Sequence, residues 1–114
     1  MAIVKACHKH ARISATKVRP FADLIRGQSV EDGLNALRYR PNRGARILEK
    51  VLRSAMSNAQ DKGARNVDKL KITDARADSG PMFKRVRPRS RGMANMVRRR
   101  FAHVHIAIEA PELS

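Results

Sequence analysis

The stretch KRVRPRSRGMANMVRRR, Lys84 to Arg100, holds eight positive side chains and no acidic one. Seven of the eight are arginine. A guanidinium is planar and weakly hydrated, and it grips a phosphate through two parallel hydrogen bonds. A row of them does electrostatic work on a polyanion. Each phosphate neutralised releases counterions, and the affinity so gained falls steeply with salt. A second basic cluster, Lys9, His10, Arg12, Lys17 and Arg19, lies nearer the start of the chain. The alternative for each of these charges is an ordinary solvated surface.

Two histidine pairs also invite a chemical reading. His8 and His10, like His103 and His105, are two residues apart, so on a regular strand each pair shares a face. Cys7 precedes the first pair but would point to the opposite face. No four-ligand zinc spacing such as CxxC is present. The expectation is no metal, with the histidines structural or in contact with the polyanionic partner. Cys7 lacks an activating context for a nucleophile. No phosphate-binding loop, dinucleotide fingerprint or HExxH is found, and the ten carboxylates are scattered. An enzyme is not expected, and no cofactor is implied.

The whole composition agrees with a polyanionic partner. The net charge is +15 over 114 residues, and the pI is near 11.5. Aromatic content is 4%, with no Trp, which disfavours a membrane belt and a single-strand binder built on stacking platforms. No apolar run approaches the length of a membrane span, so none is expected. MAIVKACHKH does not read as a signal peptide. A single cysteine excludes an internal disulfide and suits a reducing cytoplasm. The length predicts one domain, residues 1–114.

The elements that must position these charges follow from periodicity. Between Gly44 and Gly63, the residues Ile47, Leu48, Val51, Leu52, Ala55, Met56 and Ala59 form one helical stripe. Asn42 can cap its start and Gly63 its end. Ser29 with Asp32 resembles a capping box ahead of Val30, Leu34 and Leu37, and Pro41 stops that helix. Val18, Phe21, Ala22 and Ile25 make another stripe closed by Gly27. Pro20 predicts that this helix starts near Arg19 or kinks. Ala102, Val104, Ile106 and Ile108 alternate as a strand does, as do Leu70 and Ile72, and Ile3 to Ile13 reads as extended. DSGP, Asp78 to Pro81, predicts a turn. Strand, three helices and then strands indicate an α+β fold.

The basic run resolves within this order. Pro88 excludes a long helix, and Gly92 can supply a positive-φ turn. A strand resumes after Arg100, so the run must return. The prediction is a small antiparallel sheet packed against three helices, with a long protruding basic β-hairpin. The arm covers about 82–105 with its tip near 90–95, and the globular part covers 1–81 and 101–110. Arms of about ten residues reach roughly 30 Å at about 3.3 Å per residue. A two-stranded ribbon is marginal alone in water, and like charge weakens it further. It makes sense ordered against nucleic acid.

Three blocks, KHARISATKVRPFADLIRG (Lys9–Gly27), ILEKVLRSAMSNA (Ile47–Ala59) and GPMFKRVRPRSRGMANMVRRRFAHVHIAI (Gly80–Ile108), resemble bacterial-type large-subunit ribosomal protein twenty-two. The resemblance covers nearly the whole chain, in order. It implies a structural constituent of the large subunit that binds large-subunit rRNA and supports assembly. Its globular part would sit near the exit of the nascent-peptide tunnel, with the hairpin forming part of the tunnel wall. By that resemblance Lys84, Arg85, Arg87, Arg89, Arg91, Arg98, Arg99 and Arg100 contact rRNA, and Pro88 within the arm and the basic cluster of Lys9, His10, Arg12, Lys17 and Arg19 are expected to bind RNA with them. Ser90, Arg91, Gly92, Met93 and Ala94 would face the tunnel. Neighbouring large-subunit proteins, the nascent peptide and exit-site factors are the implied partners, in the cytoplasm and without homo-oligomerisation. The chain departs from the family at Met93, where a basic or polar residue is usual, and at Pro20, where relatives carry a helix former.

Two other binding classes fit parts of the sequence. One is a DNA-architectural protein whose arm wedges Pro88 between base steps, although its helix-first order does not match. The other is a docking face for factors near Asp61, Asp68, Asp74 and Asp78, where the ordinary reading is a solvated surface.

Overall fold

The computed structural model describes the backbone of residues 2–88, 90–92 and 94–110 and the side chains of 3–80, 91–92 and 100–110. The chain runs β1 (Ala2–Ala11), α1 (Ala15–Ile25), α2 (Val30–Arg38), α3 (Arg43–Asp61), a 3-10 turn (Val67–Lys69), β2 (Lys71–Pro88), a second such turn (Ser90–Gly92) and β3 (Ala94–Ala110). The sheet is antiparallel with order β1-β3-β2, so the third of these strands in chain order lies in the middle. This is the α+β fold that the sequence predicts.

Each helix buries the stripe its sequence encodes. α3 buries Leu48, Val51, Leu52, Ala55 and Ala59, while Ile47 and Met56 stay partly exposed at its margins. Asn42 stands at the cap position, but its side chain makes no capping bond. The other end is a Schellman motif: Gly63 takes φ 95°, the Ala64 N–H donates to the Ala59 carbonyl and the Gly63 N–H to the Gln60 carbonyl, both at 3.0 Å. In α2 the Ser29 hydroxyl accepts from the Asp32 N–H at 3.2 Å, as the capping-box spacing requires.

α1 starts at Ala15, four residues before Arg19, with Pro20 inside it. The N–H that Pro20 lacks would have bonded the Thr16 carbonyl, in the helix's first turn. Thr16 and Pro20 are both exposed, so the orphaned carbonyl lies on a face open to water. The loss is tolerable there, whereas the same proline on the buried stripe of Val18, Ala22 and Ile25 would not be. Gly27 then takes φ 85°, its N–H bonds the Ile72 carbonyl at 2.9 Å, and the Ile72 N–H returns to the Gln28 carbonyl at 2.8 Å. These bonds pin the α1–α2 junction to the start of β2.

DSGP is not a turn. β2 runs straight through it, paired to β3 on both sides, with a register shift between Ser79 and Met82. Pro81 cannot donate to the ladder, and a strand accommodates such a residue at a bulge. Gly80 allows the close approach: a Cβ there would lie 3.1 Å from the Phe101 carbonyl oxygen. Turn-type residues here signal an irregularity within a strand.

The core lies between the sheet's inner face, Val4, Ile72, Val104, Ile106 and Ile108, and the helical residues Val18, Ile25, Leu37, Leu48 and Leu52. Fully burying one such side chain contributes about 1.5–3 kcal/mol. β1 makes its last pairing at Ala11 with Ala102. Beyond that point β2 and β3 pair only with each other, from Met82 with Arg100 to Pro88 with Ala94. The chain is accordingly elongated, with extents of 64 × 27 × 18 Å. Arg91 and Gly92, with φ of 62° and 72°, turn the ribbon. Ala94 and Asn95, within the span expected for the tip, pair with Pro88 and Arg87.

Candidate nucleic-acid interface

The bulge between Ser79 and Met82 marks the root of the ribbon, opposite Arg100 to Ala102. The first turn of α1 is placed beside it. Together they form a surface cavity of about 210 Å³ lined by Ser14, Thr16 and Arg19 from the α1 side and by Ser79, Gly80 and Arg100 from the strands. Arg19 is fastened there by an Nε–H bond to the Ala77 carbonyl at 3.3 Å. Ser14 and Thr16 hydroxyls lie 3.2 Å apart. Arg100 arrives from β3. Among the described residues neither Arg19 nor Arg100 makes an ion pair.

A neighbouring depression of about 250 Å³ shows the contrast. It too contains Arg19, but its other arginines are compensated. Arg26 pairs with Asp23 at 2.9 Å, and Arg76 reaches Asp78 at 3.6 Å and Asp74 at 3.8 Å. His105 adds a contact to Asp78 at 3.4 Å. Asp74 and Asp78, read from the sequence as part of an acidic docking face, are thus engaged with basic partners. The scarce carboxylates serve one side of the root, and the Arg19–Arg100 side keeps its positive charge.

The remaining members of the first cluster, Lys9, His10, Arg12 and Lys17, are exposed around the β1–α1 junction. Strand register slips between His8 and Ala11, and His10 takes φ 59°. Its N–H donates to Nδ1 of His103 at 3.1 Å, and the two rings meet edge to face with centroids 4.9 Å apart. The slip breaks the regular alternation that would have set His8 and His10 on one face. Among the described residues, no group of three or more His, Cys, Asp or Glu is arranged to hold a metal ion. Cys7 is exposed and borders a shallow depression with His8, Lys50 and Ser54.

Of the expected arm contacts, Arg91 is described and exposed at the turn with Gly92, and Arg100 at the root. Arg89 and Met93, and the side chains of Lys84, Arg85, Arg87, Pro88, Ser90, Ala94, Arg98 and Arg99, lie outside the described residues. The two basic clusters are separate in the sequence. Nothing in it signals that Arg19 and Arg100 share a cavity, because that depends on α1 docking at the bulge. Among the described residues, no helix is long and apolar enough to cross a membrane.

The family described as ribosomal protein L22p/L17e matches residues 6–109. The large ribosomal subunit protein uL22 of Rhodopirellula baltica is 50% identical over 113 residues, covering 95% of each chain. That of Caldicellulosiruptor saccharolyticus is 45% identical over 91% of this chain and 85% of its own. That of Akkermansia muciniphila is 42% identical over 96% of this chain and 97% of its own. These are structural proteins and not enzymes. With the match running from β1 to the end of β3, the chain belongs to the ribosomal protein L22p/L17e family.

Proposed function

We propose that the protein is a structural constituent of the large ribosomal subunit that binds large-subunit rRNA through its hairpin and the hairpin's root. The observation that carries this is the convergence of Arg19 and Arg100 on one cavity, without ion pairs among the described residues. A pair of guanidiniums with no carboxylate between them is a site for phosphate. In this reading the Lys9–Arg19 cluster and the arm from Lys84 to Arg100 bind the same RNA. The arm runs between rRNA segments, the tip at Ser90–Ala94 contributes to the wall of the nascent-peptide tunnel, and the globular part sits near the tunnel exit. Neighbouring ribosomal proteins, the nascent peptide and exit-site factors are the partners, and binding of rRNA supports subunit assembly in the cytoplasm. Family membership favours this over the DNA-architectural reading.

The test is the salt dependence of binding to large-subunit rRNA. With Arg19 and Arg100 both changed to Ala, the slope of log K against log salt should flatten by about one for each phosphate no longer neutralised. An unchanged slope would remove the root from the interface. Sedimentation of the tagged chain with large subunits through a high-salt wash checks the assembly. Retention on DNA instead would restore the architectural reading.

A further inference from the structure

The corner between α2 and α3 reads LRYRPNRGAR, Leu37 to Arg46. No acidic residue stands between Asp32 and Glu49. Arg38, Arg40, Arg43 and Arg46 are all exposed, and among the described residues none of them makes an ion pair. Glu49, the next carboxylate along, is taken by Arg53 at 3.0 Å. In the middle of these charges Tyr39 is 82% exposed, while the chain's other exposed large apolar residue among those described, Ile3, is 53% exposed. Tyr39 sits at the α2 C-cap, and Pro41 stiffens the chain beside it.

An exposed ring costs hydration unless something covers it, and an exposed Tyr among arginines suits two kinds of partner. Protein interfaces use both residue types. Here the charge decides: four uncompensated guanidiniums repel most of what a protein surface offers except a strongly acidic one. Nucleic acid satisfies both features, with phosphates for the arginines and a base face for the ring. We infer that the α2–α3 corner is a second RNA contact, in which Tyr39 stacks on one unpaired base while Arg38, Arg40 and Arg43 hold the flanking phosphates. One ring makes one stacking site, which is consistent with the low aromatic content. The corner also adjoins the first basic cluster, because Gly44 packs directly on the backbone of Lys17 and Val18. A strand tracking Lys17 therefore meets Arg43 on the adjacent helix.

The inference rests on RNA being the partner, as proposed above, and the experiment separates the two. Binding of the full chain to a large-subunit rRNA transcript is measured across a salt series. Tyr39→Ala should weaken it by roughly 5- to 100-fold, the range for losing one base–aromatic stack, with the salt slope unchanged. Tyr39→Phe should stay within about twofold, since the ring is kept. Arg38, Arg40 and Arg43 changed together to Ala should instead flatten the slope. All variants should melt like the parent, because every changed side chain is exposed. If Tyr39→Ala binds like the parent while the Arg19–Arg100 variant is weakened, the corner inference is overturned and the hairpin-root reading stands. If both bind like the parent, both fail. Ultraviolet irradiation of large subunits carrying the chain should yield a nucleotide adduct on the Tyr39 peptide; a cross-link from Tyr39 to a neighbouring protein would make the corner a protein interface and overturn the inference.

Discussion

Gly44 lies against the carbonyl of Lys17, so close that a Cβ on Gly44 would come to 2.7 Å from that oxygen. This approach sets the spacing of α3 on α1. Two effects compete in Gly44→Ala. Helix propensity favours alanine by about 1 kcal/mol. The clash is with backbone, which cannot rotate away, and overpacking costs about 1–3 kcal/mol or more. We expect net destabilisation of about 1–2 kcal/mol in a urea titration. Gly33 is the control: its added Cβ would meet the Ile72 Cδ1 at 2.8 Å, the far end of a flexible side chain. Gly33→Ala should cost less than Gly44→Ala, and the reverse order would show that the α1–α3 packing is slack.

Leu52 is fully buried on the α3 stripe. An unpaired carboxylate there has no partner and no water, and burial of such a group is among the most destabilising of substitutions. Leu52→Asp should abolish the folded state, removing most helical circular dichroism at room temperature. A native spectrum with a native melting temperature would place that face outside the core.

The arm should be dispensable for folding. Met82 and Arg100 are cross-strand partners, so residues 83–99 can be replaced by Asn-Gly, which suits a two-residue hairpin turn. The shortened chain should keep a cooperative thermal transition and lose most of its salt-dependent RNA affinity. A broad, non-cooperative melt would mean that the arm helps hold the core.

Ser29 caps α2 through its bond to the Asp32 N–H. Ser29→Ala should cost about 0.5–2 kcal/mol, since the freed donor at a helix start goes unpaired. Ser29→Asp should largely restore stability, because a carboxylate accepts the same bond. If Ser29→Ala unfolds at the parent's urea midpoint, water replaces the cap without loss.

What can be read from the sequence divides by the range of the interactions involved. The α3 stripe, the Ser29 cap and the Ala102–Ile108 alternation are local patterns, and the helices and strands follow them. Pro20 and DSGP mislead for one reason: each suggests a break by its intrinsic preference, whereas the outcome depends on which face it occupies and on a distant partner. Pro20 falls on the exposed face of α1, and Gly80 and Pro81 fall opposite Phe101 in an established ladder. The basic character of the site is evident from composition. Its geometry is not, because Arg19 and Arg100 meet only through α1, the bulge and β3. Tyr39 is hidden for a related reason, since exposure of a single ring cannot be read from a propensity.

The central position of β3 carries a consequence for the order of events during synthesis. β1 and β2 are both edge strands in the β1-β3-β2 sheet, and each finds its partner in β3, which follows both in the chain. Ala2 pairs with Ala110. Until β3 is available the chain holds three helices and two strand edges with nothing between them, and contacts of such long sequence separation form late and slowly. Completion of the sheet is therefore deferred until β3 has been synthesised, and the nascent polypeptide spends that interval as an unfinished, highly cationic chain whose exposed edges must be kept from pairing elsewhere.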